Sequence, residues 1–332
     1  MTDTSALLEV TDLCIDYVTA DGWVRAVDGV SFTLHQGELL GLAGESGSGK
    51  STLIHGILRT LGQPGVITGG EVRFLGRDVL AMSAEELRQL RWREIAMVFQ
   101  SAMNALNPVA TLHEQIADTL RAHERGITKV AIRKRAEELL DLVGIDRQRL
   151  GAYPHMLSGG MRQRAVIAIA LALHPKVVIM DEPTTALDVV VEKQILQRVL
   201  ELKSSIGFSI LFITHDLPLM LSIADRIGIL YAGRLAELGP TATLQHQPAH
   251  PYTAGLMRVF PSMFGQRQAL HGIPGTPPSM VSPPSGCRFH PRCAYAADAC
   301  RSQPPALSPR GDRHVAACIL DALPQEAAPT RR

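Results

Sequence analysis

One stretch constrains the fold of this chain more than any other: GELLGLAGESGSGKSTLIHGIL, residues 37–58. Leu39 to Ala43 form a short apolar run that predicts a buried strand. Gly44, Glu45, Ser46, Gly47, Ser48, Gly49, Lys50 and Ser51 then fit the pattern G-x-x-x-x-G-K-[ST]. Thr52, Leu53, Ile54 and Ile57 start a helical pattern. A chance glycine-rich turn would lack this order of strand, loop and helix. Glycines let backbone N–H groups close around phosphate oxygens, and the helix N-terminus adds its positive end. Lys50 is placed to reach the β- and γ-phosphates of a nucleotide, and Ser51 to hold Mg²⁺. The implied fold class is α/β, with buried parallel strands.

Two more strands end in chemistry. In KVVIMDEPTTALD, Val177 to Met180 predict a buried strand that leads into Asp181 and Glu182. Asp181 suits an acid that supports Mg²⁺. Glu182, one residue on, suits a group that orients or deprotonates an attacking water. Alone, D-E-P also describes an exposed acidic turn broken by Pro183. In SILFITHDL, the apolar run Ile210 to Ile213 leads to His215, at the strand end where open α/β sheets place ligands. A structural histidine with satisfied hydrogen bonds is the other reading of that position.

Composition excludes several classes. The 332 residues carry 33 Lys and Arg against 32 Asp and Glu, a net charge of +1, so no global field favours nucleic acid. The N-terminal MTDTSALLEVTD lacks a basic region followed by an apolar run, which predicts no secretory signal. The longest apolar run, Ala165 to Leu173, falls far short of the roughly 20 residues that span a bilayer. A cytosolic location is expected. No solenoid-length repeat is visible.

Between the phosphate loop and Asp181 lies YPHMLSGGMRQRAVIAIAL. Leu157, Ser158, Gly159 and Gly160 match the first four residues of the L-S-G-G-Q motif, and on these residues the chain resembles the ABC transporter ATPases. Met161 departs from the motif's glutamine. Gln163 and Arg164 follow in place. Tyr17 resembles the adenine-stacking aromatic, and Gln100, after IAMVF, the Q-loop glutamine. Ala186, Leu187 and Asp188 resemble the D-loop, and His215 the switch histidine. The motifs run in family order over roughly residues 7 to 240.

The resemblance implies a RecA-like core, an antiparallel β subdomain and a helical subdomain at about 101–165, together forming an ATPase domain over 1–245. It also implies that ATP is sandwiched between two such domains, with Lys50, Ser51 and Thr52 on one side and Ser158, Gly159 and Gly160 of the other domain facing the γ-phosphate. Ile132, Ala136, Leu139, Leu140 and Val143 recur at helical spacing, which predicts helix from about Thr111 to Ile145. SAMNALNP, Ser101 to Pro108, is a surface loop by its residues and a permease-docking loop by resemblance.

QSAMNALNP, YPHMLSGGMRQR, DEPTTALDVVVEKQIL and HPYTAGL are similar to the oligopeptide/dipeptide (and nickel) importer ATPases, as is a cysteine-rich tail. The D-type subunit of that branch implies two permease subunits, an external solute-binding protein, a second ATPase of the F type, and a peripheral place at the cytoplasmic face of the membrane. A nickel or other small-solute importer is equally open, since an ATPase subunit does not read the solute. A soluble ABC ATPase acting on nucleic acid is disfavoured by the near-neutral charge and by the single nucleotide-binding unit.

Residues 246–332 form a proline-rich segment with one short helix expected near Tyr252 to Val259, then four cysteines. Cys287, Cys293, Cys300 and Cys318 follow the spacing C-x5-C-x6-C-x17-C. A structural Zn²⁺ site usually includes a tighter pair. An iron–sulfur cluster takes four thiolates at looser spacing. Free or disulfide-bonded thiols are the third reading. The resemblance implies a [4Fe–4S] cluster. His290 and His314 are expected at the surface, and Cys14 in the core.

Overall fold

The computed structural model describes residues 5–20, 22–99, 105–184, 188–259 and 272–323. In chain order they form β1 (Ala6–Thr19), β2 (Gly22–His35), β3 (Leu39–Ala43), α1 (Lys50–Ile57), β4 (Gly65–Phe74), β5 (Arg77–Asp78), α2 (Ala84–Leu90) and β6 (Ile95–Val98). There follow α3 (Leu112–His123), α4 (Lys129–Leu142), α5 (Gly159–Ala170), β7 (Val177–Asp181), α6 (Val189–Ile206), β8 (Ser209–Ile213) and α7 (Leu217–Ile223). The last part holds β9 (Arg226–Tyr231), β10 (Arg234–Pro240), α8 (Thr241–His246), α9 (Pro251–Val259), α10 (Asp298–Ser302), β11 (Ser308–Gly311) and β12 (His314–Ala316). The chain divides into two compact units.

The first unit takes the described residues of 1–8, 33–39 and 73–214. Its strands β6, β7 and β8 run parallel, with Val98 opposite Met180 and Asp181 opposite Ile213. Every residue in these three strands is buried. That explains why they are apolar apart from Asp181 and Ser209 at their ends: a parallel strand covered on both faces has no polar side to alternate. The helical stretch expected from Thr111 to Ile145 is two helices. Gly126, at φ 79°, turns the chain between them, and Thr128 caps α4 by accepting from the Ala131 N–H at 3.2 Å. Ile132, Ala136, Leu139 and Leu140 are its buried positions, as their spacing predicts. Arg135 donates to the carbonyls of Leu171 and Ala172 at the end of α5, where a cation suits the helix dipole.

The second unit takes the described residues of 9–32, 40–72 and 215–332. Most of β1, β2 and β4 lies here, in a sheet ordered β2-β1-β4-β5. Next to it β3 pairs parallel with β9, Ala43 opposite Ile229. Antiparallel pairing then runs from β9 to β10, from β10 to β12, and from β12 to β11. The proline-rich tail therefore ends as strand added to β10. The short helix expected near Tyr252 is α9, whose Tyr252 is fully buried.

Two sequence expectations are corrected here. His314 is buried, 4% exposed, with Nε2 2.7 Å from Glu237 Oε1. The same buried carboxylate accepts from the N–H groups of Ala249 and His250 at 2.7 and 2.9 Å. Composition predicts a surface histidine because its partner lies 77 residues away. Cys14 is half-buried on β1, and its sulfur accepts from the Gly29 N–H at 3.3 Å. His250 is buried as well. Burial pushes its pKa down to about 4, and its Nδ1 accepts from the Tyr252 N–H.

Candidate functional site

The phosphate loop occupies residues 44–51, between β3 and α1, in the second unit. Gly49 sits at φ 97° as the N-cap of α1, and a Cβ there would lie 2.4 Å from the Ala26 carbonyl oxygen. At Gly44 a Cβ would lie 2.1 Å from the Leu230 carbonyl oxygen. Both positions admit only glycine. Lys50 is buried, and its ammonium donates to the carbonyls of Gly44 and Glu45 at 2.8 and 2.9 Å and to Ser48 Oγ at 3.1 Å. The charge thus lies inside the curl of the loop, where a phosphate would be met. Ser51 is exposed at the start of α1, Thr52 half-buried. Tyr17 on β1 lies beside the loop's helix, with its hydroxyl 3.4 Å from Thr52 Oγ1.

In the first unit, Asp181 is the last residue of β7 and is buried. Glu182 follows with φ 44°, a conformation that non-glycine residues rarely adopt, and its N–H donates to the Ile213 carbonyl at 2.8 Å. That bond places Glu182 at the carboxyl edge of β7 and β8. His215, two residues past β8, is exposed in the second unit. Gln100, Ala186 and Leu187 lie outside the described residues, as does the first half of the SAMNALNP loop.

Ser158 caps α5, accepting from the Met161 N–H at 3.3 Å, and Gly159 and Gly160 open the helix. A Cβ on Gly160 would lie 2.7 Å from Val191 Cγ1, so the glycine also lets α5 approach α6. Asp188 caps α6, accepting from the Val191 N–H at 2.9 Å. Both side chains hold helix starts, which is where their short polar groups can accept a main-chain N–H.

The sequence did not reveal that the tail grips the phosphate loop. Arg292, from CRFHPRC, donates from Nη1 to Glu45 Oε2 at 2.8 Å and from Nη2 to Oε1 at 3.1 Å. The Tyr252 hydroxyl accepts from the Glu45 N–H at 3.1 Å. Arg288 pairs with Asp28 at 2.6 Å and donates to the Ala232 carbonyl. Asp28 N–H donates to Gly233, whose own N–H donates to the Ser48 carbonyl at 3.0 Å. Tyr231, Tyr252 and Phe289 pack ring against ring beneath these polar links, with centroids 4.6 to 5.3 Å apart. The only sequence signal was two arginines inside an apolar, cysteine-rich segment.

Cys287, Cys293, Cys300 and Cys318 line one small cavity together with His250 and His290. None of the five cysteines is in a disulfide. Burial pushes the Cys287, Cys293 and Cys318 thiols up, and the neighbouring cysteines add to the rise. Among the described residues, no group of three or more His, Cys, Asp or Glu is disposed to hold a single metal ion.

Comparison with known proteins covers both parts of this geometry. The family model described as ABC transporter matches residues 27–185. A second, described as oligopeptide/dipeptide transporter, C-terminal region, matches residues 236–300. The oligopeptide transport ATP-binding protein OppD of Bacillus subtilis is 45% identical over 93% of this chain and 87% of its own length. The dipeptide transport ATP-binding protein DppD of Escherichia coli is 41% identical over 94% of this chain and 96% of its own. The ATP-binding cassette MJ0796, solved as a dimer with ADP and Pi after hydrolysis, superposes with a TM-score of 0.63 at 28% identity, covering 71% of this chain and 99% of that one. Loop, strand ends and tail together place the chain in the ABC transporter family, as an ATPase of the branch that carries the oligopeptide/dipeptide transporter C-terminal region.

Proposed function

We propose that this chain is the ATP-hydrolysing subunit that energises import of di- or oligopeptides through a membrane ABC transporter. The observation that carries the reading is the phosphate loop curled around Lys50 in a chain whose relatives, named for oligopeptide and dipeptide transport, match it over more than nine-tenths of its length. No described helix is long and apolar enough to cross a membrane, so the chain would act through permease subunits. It would sit peripherally at their cytoplasmic face, beside a second, F-type ATPase, with an external solute-binding protein delivering the peptide.

Within ATP hydrolysis the residues divide the work. Lys50 would turn its donors from the loop acceptors to oxygens of the β- and γ-phosphates, and the loop N–H groups would donate to the remaining oxygens. Ser51, Asp181 and Gln100 would hold Mg²⁺, which neutralises charge on the phosphates when bound. Glu182 orients and deprotonates the attacking water, and His215 contacts the γ-phosphate. Tyr17 stacks on adenine. Ser158, Gly159 and Gly160 complete the ATP site of the facing ATPase, with Asp188 at the same seam, so that ATP closes the pair and hydrolysis loosens it. Reconstitution with both permeases and the paralogue tests this. Peptide-loaded binding protein should stimulate ATP turnover; stimulation by nickel alone would overturn the peptide assignment.

The four tail cysteines would hold an iron–sulfur cluster. Their convergence on one cavity supports this: burial, with a smaller contribution from mutual repulsion, raises three of the thiols, and a cationic centre would favour the thiolates. Protein purified without oxygen should be brown, with about four irons per chain. Colourless protein with one zinc would reject the cluster.

A further inference from the structure

Glu45 is the second residue of the phosphate loop, and it brings a carboxylate to a cradle that must accept anions. Both of its hydrogen-bonding ends are occupied by the tail. Arg292 meets the carboxylate as a two-pronged fork, and Tyr252 takes the main-chain N–H. Arg292 is itself fixed in place. Its side chain is 6% exposed, its Nε donates to the Pro274 carbonyl at 2.8 Å, and its guanidinium lies over the rings of Tyr231 and Phe289. A rigid, desolvated guanidinium against a loop carboxylate does more than staple the tail. It cancels a charge that would repel the incoming triphosphate.

We propose that Arg292 is a positioning residue of the nucleotide site: it neutralises Glu45 and fixes the first turn of the phosphate loop, so that the C-terminal tail sets nucleotide affinity. The inference rests on the reading of residues 44–51 as a nucleoside triphosphate site. With Arg292 removed, the carboxylate faces the phosphates uncompensated and is free to turn toward them. If charge is the operative feature, removing the carboxylate as well restores binding. If the arginine only holds the tail in place, it does not.

The test uses the full-length chain and a fluorescent trinitrophenyl-ATP probe, at low and high salt. Arg292→Gln should weaken binding about ten-fold at low salt and less at high salt, where screening shortens the reach of the carboxylate. The double variant Glu45→Gln/Arg292→Gln should bind within about two-fold of Glu45→Gln alone. Arg292→Lys keeps the charge without the fork and should fall between wild type and Arg292→Gln. If Arg292→Gln does not fold, Arg292→Lys with and without Glu45→Gln provides the same comparison. Wild-type affinity in Arg292→Gln, or a double variant as weak as Arg292→Gln, overturns the inference. A wild-type chain that binds no nucleotide overturns the phosphate-loop reading, and this inference with it.

Discussion

Two glycine-bearing turns open helices in this protein, and both are proposed to meet phosphate, yet they are held in different ways. The Ser158-Gly159-Gly160 turn carries its own cap: the Ser158 hydroxyl accepts from an N–H three residues on. The phosphate loop has no such device, since Gly49 at its N-cap has no side chain. Its shape is held from within by Lys50 on Gly44, Glu45 and Ser48, and braced from outside by Arg292 and Tyr252 on Glu45 and by the Gly233 N–H on Ser48. A side-chain cap fills the donors at a helix start, whereas a loop that must leave them open for phosphate needs bracing elsewhere. The difference teaches that the more demanding anion site is also the less local one.

The largest expected effect separates chemistry from either anchor. Glu182→Gln should lower ATP turnover of the assembled complex by at least about 100-fold while leaving ATP bound. Near-normal turnover would remove Glu182 from the mechanism. Next in size is Gly160→Ala, which should destabilise the chain by about 2 kcal/mol through its clash with Val191 Cγ1. Adding Val191→Ala should recover most of that loss in a denaturant titration. Failure to recover it would show that the turn is held by its cap alone and sharpen the contrast.

The unit that holds the phosphate loop should also answer to acid. Arg25 hydrogen bonds hold the Asp16 carboxyl below its ordinary value against the opposing effect of burial, and Thr68 helps. The folded pKa is the depressed one, so this stabilisation is present above about pH 4 and disappears as pH falls through the lower folded value. Asp16→Asn should cost about 1.5 kcal/mol at pH 7 and flatten the loss of stability as pH falls below about 4. An unchanged acid profile would assign that loss to other carboxylates. The smallest effect is expected at the self-capped turn. Ser158→Ala should cost about 1 kcal/mol and Ser158→Asn almost none, by thermal melting. If Ser158→Asn nonetheless weakens ATP-driven pairing with the partner ATPase, the hydroxyl serves the phosphate as well as the helix.

The same contrast explains what could be read from the sequence. Leu39–Ala43, Val177–Asp181 and the apolar positions of α4 follow from runs and periods a few residues long, and the structure has them as strands and helix. Lys50, Asp181 and Glu182 were legible because strand and loop fix their places locally. Arg288, Arg292, Glu237 and His314 were not, because each acquires its role from a partner 56 to 260 residues distant. No window of periodicity spans such distances, and a charged residue in a proline-rich tail reads as solvated until its partner is found. The break between α3 and α4 was legible in principle, since glycine followed by threonine marks a helix end and a new cap.

The fork between Glu45 and Arg292 also has a consequence for biosynthesis. The two residues are separated by 247 positions, so at about 5 to 20 residues per second the phosphate loop leaves the ribosome roughly 12 to 50 s before its counter-charge is made. Through that interval the Glu45 carboxylate lacks its Arg292 partner, and on the role proposed for Arg292 ATP would find a weaker seat. On that reading, translation of the tail completes the bracing of the phosphate loop. A chain cut short before residue 292 would keep the whole G-x-x-x-x-G-K-[ST] motif and still be a poorer competitor for ATP, which would limit its spoiling of intact transporters.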